Sequence, residues 1–254
     1  MLIVACLAIA LFINFVLFWI AYTRQSDKLT DFAYALSFIA VSISTLLLSN
    51  QRSMLLSILV VMVVVWALRL GVFLVIRIRK TGKDSRFDGI RENLIKFLKF
   101  WLGQGAIAWF LLLPVLFLAQ VNGQINTLSI VGFVLWLSGL TLETVADFQK
   151  YQFSKKPANR NKWIDTGLWR YSLHPNYFGE ILVWVGIYMA VYSSLGNIQR
   201  AIGLLSPVTI FIILRFVTGV PPLEKLANKR WGNNPEYQSY RRRTNLLIPF
   251  WPKA

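Results

Sequence analysis

Seven stretches of this chain are long and apolar enough to cross a lipid bilayer, and no other feature narrows the possible folds as tightly. A span needs about 20 mostly apolar residues. Windows of that size fall at Leu2–Tyr22, Phe32–Ser49, Met54–Ile78, Phe100–Gln120, Leu128–Ala146, Phe178–Ser193 and Ala201–Val217. Leu2–Tyr22 has no positive residue before its apolar stretch, so it reads as a retained helix and not a cleaved signal. The expected architecture is all-α: a polytopic membrane helix bundle of about seven transmembrane helices. Composition agrees. The chain is 56% hydrophobic and 15% charged, where a soluble domain carries about 25% charged residues. That excludes a cytosolic enzyme and a disordered chain. No linker-like, repeated or low-complexity segment intervenes, so residues 1–254 read as a single integral membrane domain.

Cys6 and His174 are the only cysteine and histidine, which leaves no internal disulfide and no Cys- or His-rich metal centre; the metal expectation is none. Lys and Arg outnumber Asp and Glu by 27 to 11, a net charge of +16. Such a surplus suits nucleic acid, but its distribution points elsewhere. Thr23–Asp31, Arg79–Lys99, Asp147–Tyr177 and Thr218–Ala254 fall on one side of the expected spans, and with Arg77 they hold 23 of the 27 basic residues. The positive-inside rule makes that side cytoplasmic and puts the N-terminus outside. In the last two segments cations are interleaved with Trp, Tyr and Asn, a mixture suited to the bases and phosphates of a single nucleotide. A multi-span chain with short loops has little room for a duplex, so no nucleic-acid partner is expected.

Several polar residues stand out against the apolar background. Glu143 and Asp147 lie four apart at the end of the fifth span, and Asn176 and Glu180 repeat that spacing at the start of the sixth; carboxylates in or beside a membrane are functional candidates by default. They also suit an internal ion pair with Arg69 or Arg215. Asp31 and Tyr34 form a third pair, although Thr30-Asp31 equally suits a helix start. The run Gly103-Gln104-Gly105-Ala106-Ile107-Ala108 imitates a dinucleotide fingerprint, but no strand precedes it; small residues inside an apolar helix serve close helix packing instead.

The most specific signal is Thr166-Gly-Leu-Trp-Arg-Tyr-Ser-Leu-His-Pro-Asn-Tyr-Phe-Gly-Glu180, with the closing Asn234-Pro-Glu-Tyr-Gln-Ser-Tyr-Arg-Arg-Arg-Thr-Asn-Leu-Leu-Ile-Pro. From about Glu143 to Pro252 the chain resembles the steroid 5-alpha-reductase superfamily, and within it the bacterial DUF1295-like branch of membrane reductases; Asp84-Ser-Arg86 is the best echo nearer the N-terminus. Leu173 departs from the branch, which commonly has Arg before His-Pro-Asn-Tyr. A phosphate contact from that position is therefore absent or comes from Arg170 or a nearby Lys. The resemblance implies a helical enzyme, in the bacterial inner membrane, whose cytoplasmic loops cover the cofactor and which uses NADPH to reduce a carbon–carbon double bond conjugated to a carbonyl. Its substrate would be a steroid-like or other flat lipid reached from the bilayer. Carried over, Asp147, Lys162, Asn176 and Tyr240 match the family's cofactor pocket, while Glu180 and Trp184 match positions near the nicotinamide and the substrate. The family's catalytic Glu–Tyr pair lies in its N-terminal half, the region where Asp31, Tyr34 and Trp66 stand in this chain; the resemblance thus makes Tyr34, oriented by Asp31, the candidate carbonyl-polarising group, since a phenol can donate a hydrogen bond to a developing enolate at neutral pH.

Lys155, Arg170, Tyr171, His174, Tyr177 and Arg241 complete the candidate cofactor set. Lys150–Arg170 holds six cations against Asp165, which favours NADPH over NADH because the 2′-phosphate needs cations where a 2′-OH wants a carboxylate. Two other readings share the motifs. A membrane methyltransferase of the isoprenylcysteine or phospholipid type has the same His-Pro-Asn-Tyr-x-Gly core, but usually follows it with Arg and a paired Glu-Glu; here Arg215 is followed by Pro222-Leu223-Glu224-Lys225. A non-catalytic sterol or lipid sensor would keep the fold alone. Bound nucleotide separates the three. The sequence leaves the oligomeric state open, a monomer included.

Overall fold

A computed structural model of the chain describes residues 1–81 and 87–249, excepting the side chains of Arg77, Arg79, Lys80 and Thr81. Asp84-Ser-Arg86 and Pro252 lie outside the described residues. Ten α-helices follow in order: α1 (Leu2–Thr23), α2 (Thr30–Leu48), α3 (Met54–Thr81), α4 (Leu94–Leu111), α5 (Leu113–Leu118), α6 (Thr127–Lys155), α7 (Pro175–Tyr192), α8 (Asn197–Ile212), α9 (Val220–Trp231) and α10 (Pro235–Arg243). Among the described residues six helical stretches are long and apolar enough to cross a membrane: Leu2–Thr23, Thr30–Leu48, Met54–Ile76, Leu94–Leu111, Thr127–Lys155 and Asn197–Trp231. The chain is an all-α membrane protein. The remaining expected span is helical as α7, but its first turns carry Asn176 and Glu180, which dilute its apolar character.

Two boundaries differ from the expected windows for local reasons. The stretch Phe100–Gln120 is broken at Leu112, where Pro114 enters the first turn of α5. Proline has no N–H to give and its ring crowds the preceding turn, so the helix restarts. Beyond α8, Ile213–Val217 winds as a π-helix. Its exit needs Gly219, where a Cβ would lie 2.3 Å from the Leu214 carbonyl oxygen.

The chain forms two compact units. The first comprises Met1–Thr127 and Val191–Ser206. In it α1 packs on α2 and α4, and α2 packs on α3, around a core of Phe18, Ala21, Ala33, Phe87, Phe97 and Trp101. A polar network lies inside this apolar packing. Asn14, fully buried, donates to Ser37 Oγ and to the Ala10 carbonyl, each at 2.8 Å, and accepts from Gln104 at 3.3 Å. Hydrogen bonds of this kind join helices where lipid offers no hydrophobic drive. Gly105 permits the approach: a Cβ there would sit 2.7 Å from Asn14 Nδ2. Gly103, by contrast, faces open space, so close packing accounts for one glycine of the pair.

The second unit comprises Leu128–Ala190 and Pro207–Ala254. Its frame is the antiparallel pair α6 and α7, in backbone contact through glycines seven residues apart on each helix. A Cβ at Gly132 would lie 2.6 Å from the Gly186 carbonyl oxygen, and one at Gly139 would lie 2.6 Å from that of Gly179. The connection between them turns through Pro157–Asn159 and Gly167–Arg170 and packs Ile164 and Trp169 on Ala146. Helix α9 packs on the π-helical stretch.

Candidate functional site

The glycine contacts bring Asn176 of α7 against Asp147 of α6, and Gly179 against the Glu143 backbone. Glu143 and Asp147 are both buried. Asn176 Nδ2 donates to Asp147 Oδ1 at 3.1 Å, while a Cβ at Gly179 would meet the Glu143 backbone N at 2.6 Å. Asn176 Oδ1 is shielded from solvent and has no protein partner among the described residues.

Beyond this junction the connecting loop folds back over the end of α6. Trp169 Nε1 donates to the Ala146 carbonyl at 3.0 Å, and Lys150 Nζ stands 4.6 Å above the Trp169 ring. Gly167 takes φ +61°, a left-handed conformation that glycine adopts without strain, and the next residue, Leu168, donates its N–H to Gln149 Oε1 at 2.9 Å. The chain after α7 returns to the same place. Tyr240 Oη donates to the Trp169 carbonyl at 2.6 Å, and burial pushes that phenol well above its ordinary pKa, so it remains a donor. Leu173 N–H donates to the Asn245 carbonyl at 2.8 Å, and Ser172 Oγ donates to that of Leu247 at 2.6 Å.

The end of α6, the loop, α9 and α10 line an open cavity of about 470 Å³ within this unit, a size ordinary for a small-molecule site. Lys150, Arg160, Lys162, Arg230 and Arg241 bring positive charge to its lining; Trp163, Trp169, Trp231, Tyr237 and Tyr240 bring rings. Three of these rings touch: Trp163–Tyr237 at 5.2 Å, Trp231–Tyr237 at 5.6 Å and Trp163–Trp231 at 6.1 Å between centroids. Glu224 pairs with Arg241 at 2.7 Å, and Asn228 accepts a second bond from the same guanidinium at 2.7 Å. His174 also lines the cavity and stacks on Tyr177, 5.3 Å between centroids. Burial, followed by the charges of Lys150, Arg215 and Arg241, pushes its pKa down to about 3, so the imidazole is neutral at physiological pH. Its Nδ1 is shielded and has no protein partner among the described residues. A second depression, of about 410 Å³, is lined by Asp165, Thr166, Gly167, Arg170 and Arg243.

Of the residues expected from sequence, Lys162, His174, Tyr240 and Arg241 line the larger cavity, and Arg170 lines the smaller. Asp147 and Asn176 bond to each other, and Tyr177 reaches the cavity through His174. Half-buried Tyr171 lies in the same folded-back loop. Lys155 stands outside the lining, with its Nζ over the Tyr151 ring at 4.4 Å. Glu180 is half-buried and Trp184 fully buried, both on α7. The remaining three belong to the first unit. Asp31 lies in the first turn of α2, whose N-cap is Leu29 with no side-chain cap. Tyr34 packs edge-on against Phe38 at 4.9 Å, and Phe38 against Trp66 at 5.0 Å, so Tyr34 and Trp66 are linked through an intervening ring. Trp163, Trp231 and Arg230 were not legible as site residues: they converge from separate segments, and only the general mixture of cations and aromatics hinted at them.

Residues 17–244 match a family described as a protein of unknown function, DUF1295. The chain belongs to the DUF1295 family. The DUF1295 match takes in the cavity, the α6–α7 junction and the Asp31–Tyr34 pair alike. No curated protein and no solved structure matches the chain.

Proposed function

We propose that this DUF1295 chain is an NADPH-dependent membrane reductase that acts on the conjugated double bond of a flat, steroid-like or other lipid enone. One observation carries the reading: a cavity walled by five cations and six Phe, Trp and Tyr rings, with a buried neutral histidine whose Nδ1 lacks a protein partner among the described residues. Cations satisfy phosphates, rings receive planar groups, and the imidazole offers a hydrogen bond without adding charge. Lys150, Lys162 and Arg241 would hold phosphates there, with Arg170 and Arg243 beside them. Bound there, NADPH would supply hydride to the substrate's double bond. Asn176, fixed by Asp147, would orient the nicotinamide end, with Glu180 one turn further along α7. For the carbonyl, Tyr34 oriented by Asp31 is the proposed donor, and Trp66 and Trp184 are the proposed substrate contacts. The charged segments would face the cytoplasm.

The test is titration of the full chain with NADPH and NADH at two salt concentrations, with mass spectrometry of any nucleotide that copurifies. A charge-assisted phosphate contact contributes about 1.5–3 kcal/mol, so two contacts to the 2′-phosphate predict at least about a hundredfold preference for NADPH, shrinking as salt rises. Equal affinity for both nucleotides would remove the 2′-phosphate assignment. Binding of neither, or copurified S-adenosylmethionine, would replace the reductase reading with methyl transfer or a non-catalytic role.

A further inference from the structure

We infer that the cavity wall formed by Asn161, Trp163, Trp231 and Tyr237 reads the purine base of an adenine nucleotide, with Asn161 as the residue that distinguishes adenine from other purines. The inference rests on the nucleotide reading of the cavity and assigns a part of it that phosphate recognition leaves unexplained. The wall is aromatic. Trp163, Trp231 and Tyr237 lie in mutual ring contact within the lining, and a base stacked on such rings gains affinity whatever its sequence of edge groups. Stacking alone does not choose among bases; hydrogen-bonding groups beside the rings must do that.

Two such groups are present. Trp163 Nε1 is shielded from solvent and has no acceptor among the described residues, a buried donor whose desolvation a ring nitrogen of the base would offset. Asn161 supplies a carboxamide. An asparagine amide presents a donor and an acceptor side by side, the complement of the N7 acceptor and N6 amino donor of adenine. Its neighbour Asn159 already donates to the Phe153 carbonyl at 2.9 Å, which leaves Asn161 as the amide of the pair suited to a ligand. The backbone at Asn161 supports that role. It sits at φ +63°, a left-handed conformation uncommon outside glycine and asparagine, and its carbonyl accepts from Trp231 Nε1 at 2.7 Å. The residue that would read the base edge is thus tied to a ring on which the base would lie.

The test compares NADPH with reduced nicotinamide hypoxanthine dinucleotide phosphate, which replaces the N6 amino donor with a carbonyl and keeps every phosphate. The parent chain is expected to bind the adenine form about tenfold more tightly. Asn161→Gly removes the carboxamide, while glycine keeps the left-handed backbone and with it the bond to Trp231; it should bind the two nucleotides within about twofold of each other. Trp163→Phe keeps a ring and loses the N–H, so it should weaken both nucleotides. A parent chain that binds both equally, or an Asn161→Gly chain that keeps the tenfold preference, overturns the base-reading assignment and leaves the NADPH site standing. A parent chain that binds neither overturns both.

Discussion

The backbone contact between α6 and α7 makes Gly179→Ala a demanding substitution for its size. The added Cβ would lie 2.6 Å from the Glu143 backbone N and 2.7 Å from the Gly139 carbonyl oxygen. Ordinary contact needs roughly 3.5 Å, so the helices must separate by about 0.9 Å at that level, and neither obstacle is a side chain that can rotate aside. Asn176 is on the same helix less than one turn away, and its 3.1 Å bond to Asp147 would open to about 4 Å, beyond hydrogen-bond range. Overpacking costs about 1–3 kcal/mol, and a lost bond to a carboxylate about 1.5–3 kcal/mol. About 2.5–6 kcal/mol of destabilisation is therefore expected, with weakened nucleotide binding through the displaced Asn176. Gly103→Ala is the matched control: its Cβ meets nothing within 4 Å, and it should be neutral or stabilising by up to about 1 kcal/mol. Gly139→Ala presses on the same contact from the opposite helix, so combining it with Gly179→Ala should cost less than the sum. Thermal unfolding of the full chain in detergent, followed by circular dichroism, measures all four. A Gly179→Ala chain as stable as the parent would refute the close contact and the reasoning built on it.

Three further outcomes follow from the site. His174 has a folded pKa of about 3 against an ordinary 6.5, so the unfolded chain binds the extra proton. Stability should fall as pH drops from about 6.5 towards 3, and His174→Gln should flatten that slope in pH-dependent melts; identical slopes would place the imidazole in water. Tyr240→Phe strands the Trp169 carbonyl and should lower stability by about 1–3 kcal/mol while loosening NADPH, read by melting and by titration; a silent variant would mean that α10 is not fastened to the loop by this bond. Tyr34→Phe and Glu180→Gln should each retain NADPH and lose most enone reduction in a turnover assay, and full activity in either would move its role to another residue.

Much of the architecture was visible in the sequence because lipid forces long apolar runs into helices, and runs such as Leu2–Tyr22 state their own limits. The break at Leu112 was harder to see, since Pro114 sits inside a run that stays apolar on both sides and hydropathy does not register a missing N–H. The i, i+4 spacing of Glu143 with Asp147 and of Asn176 with Glu180 was legible, but not that Asn176 meets Asp147 across the two helices. That depends on Gly132, Gly139, Gly179 and Gly186, which act by having no side chain and so leave no periodic apolar signal. The aromatic wall was beyond reach for another reason. Trp163 and Trp231 are brought together by a loop turning at a left-handed Asn161, and no local pattern in either segment encodes the meeting.

The order in which the chain visits its two units has a consequence for biogenesis. The crossings fall at Thr127–Leu128, Ala190–Val191 and Ser206–Pro207, inside α6, α7 and α8. Synthesis proceeds from the N-terminus, so when α1 to α5 have left the ribosome their unit still lacks Val191–Ser206. That segment is made only after Leu128–Ala190, the stretch that carries the paired glycines. The second unit is completed by Pro207–Ala254, which bring α9 and α10 to the cavity. Neither half can be released by a single cut, and neither is complete at any stopping point short of the last crossing. In order of synthesis the two units alternate, so neither has all its residues until the chain has passed Ser206.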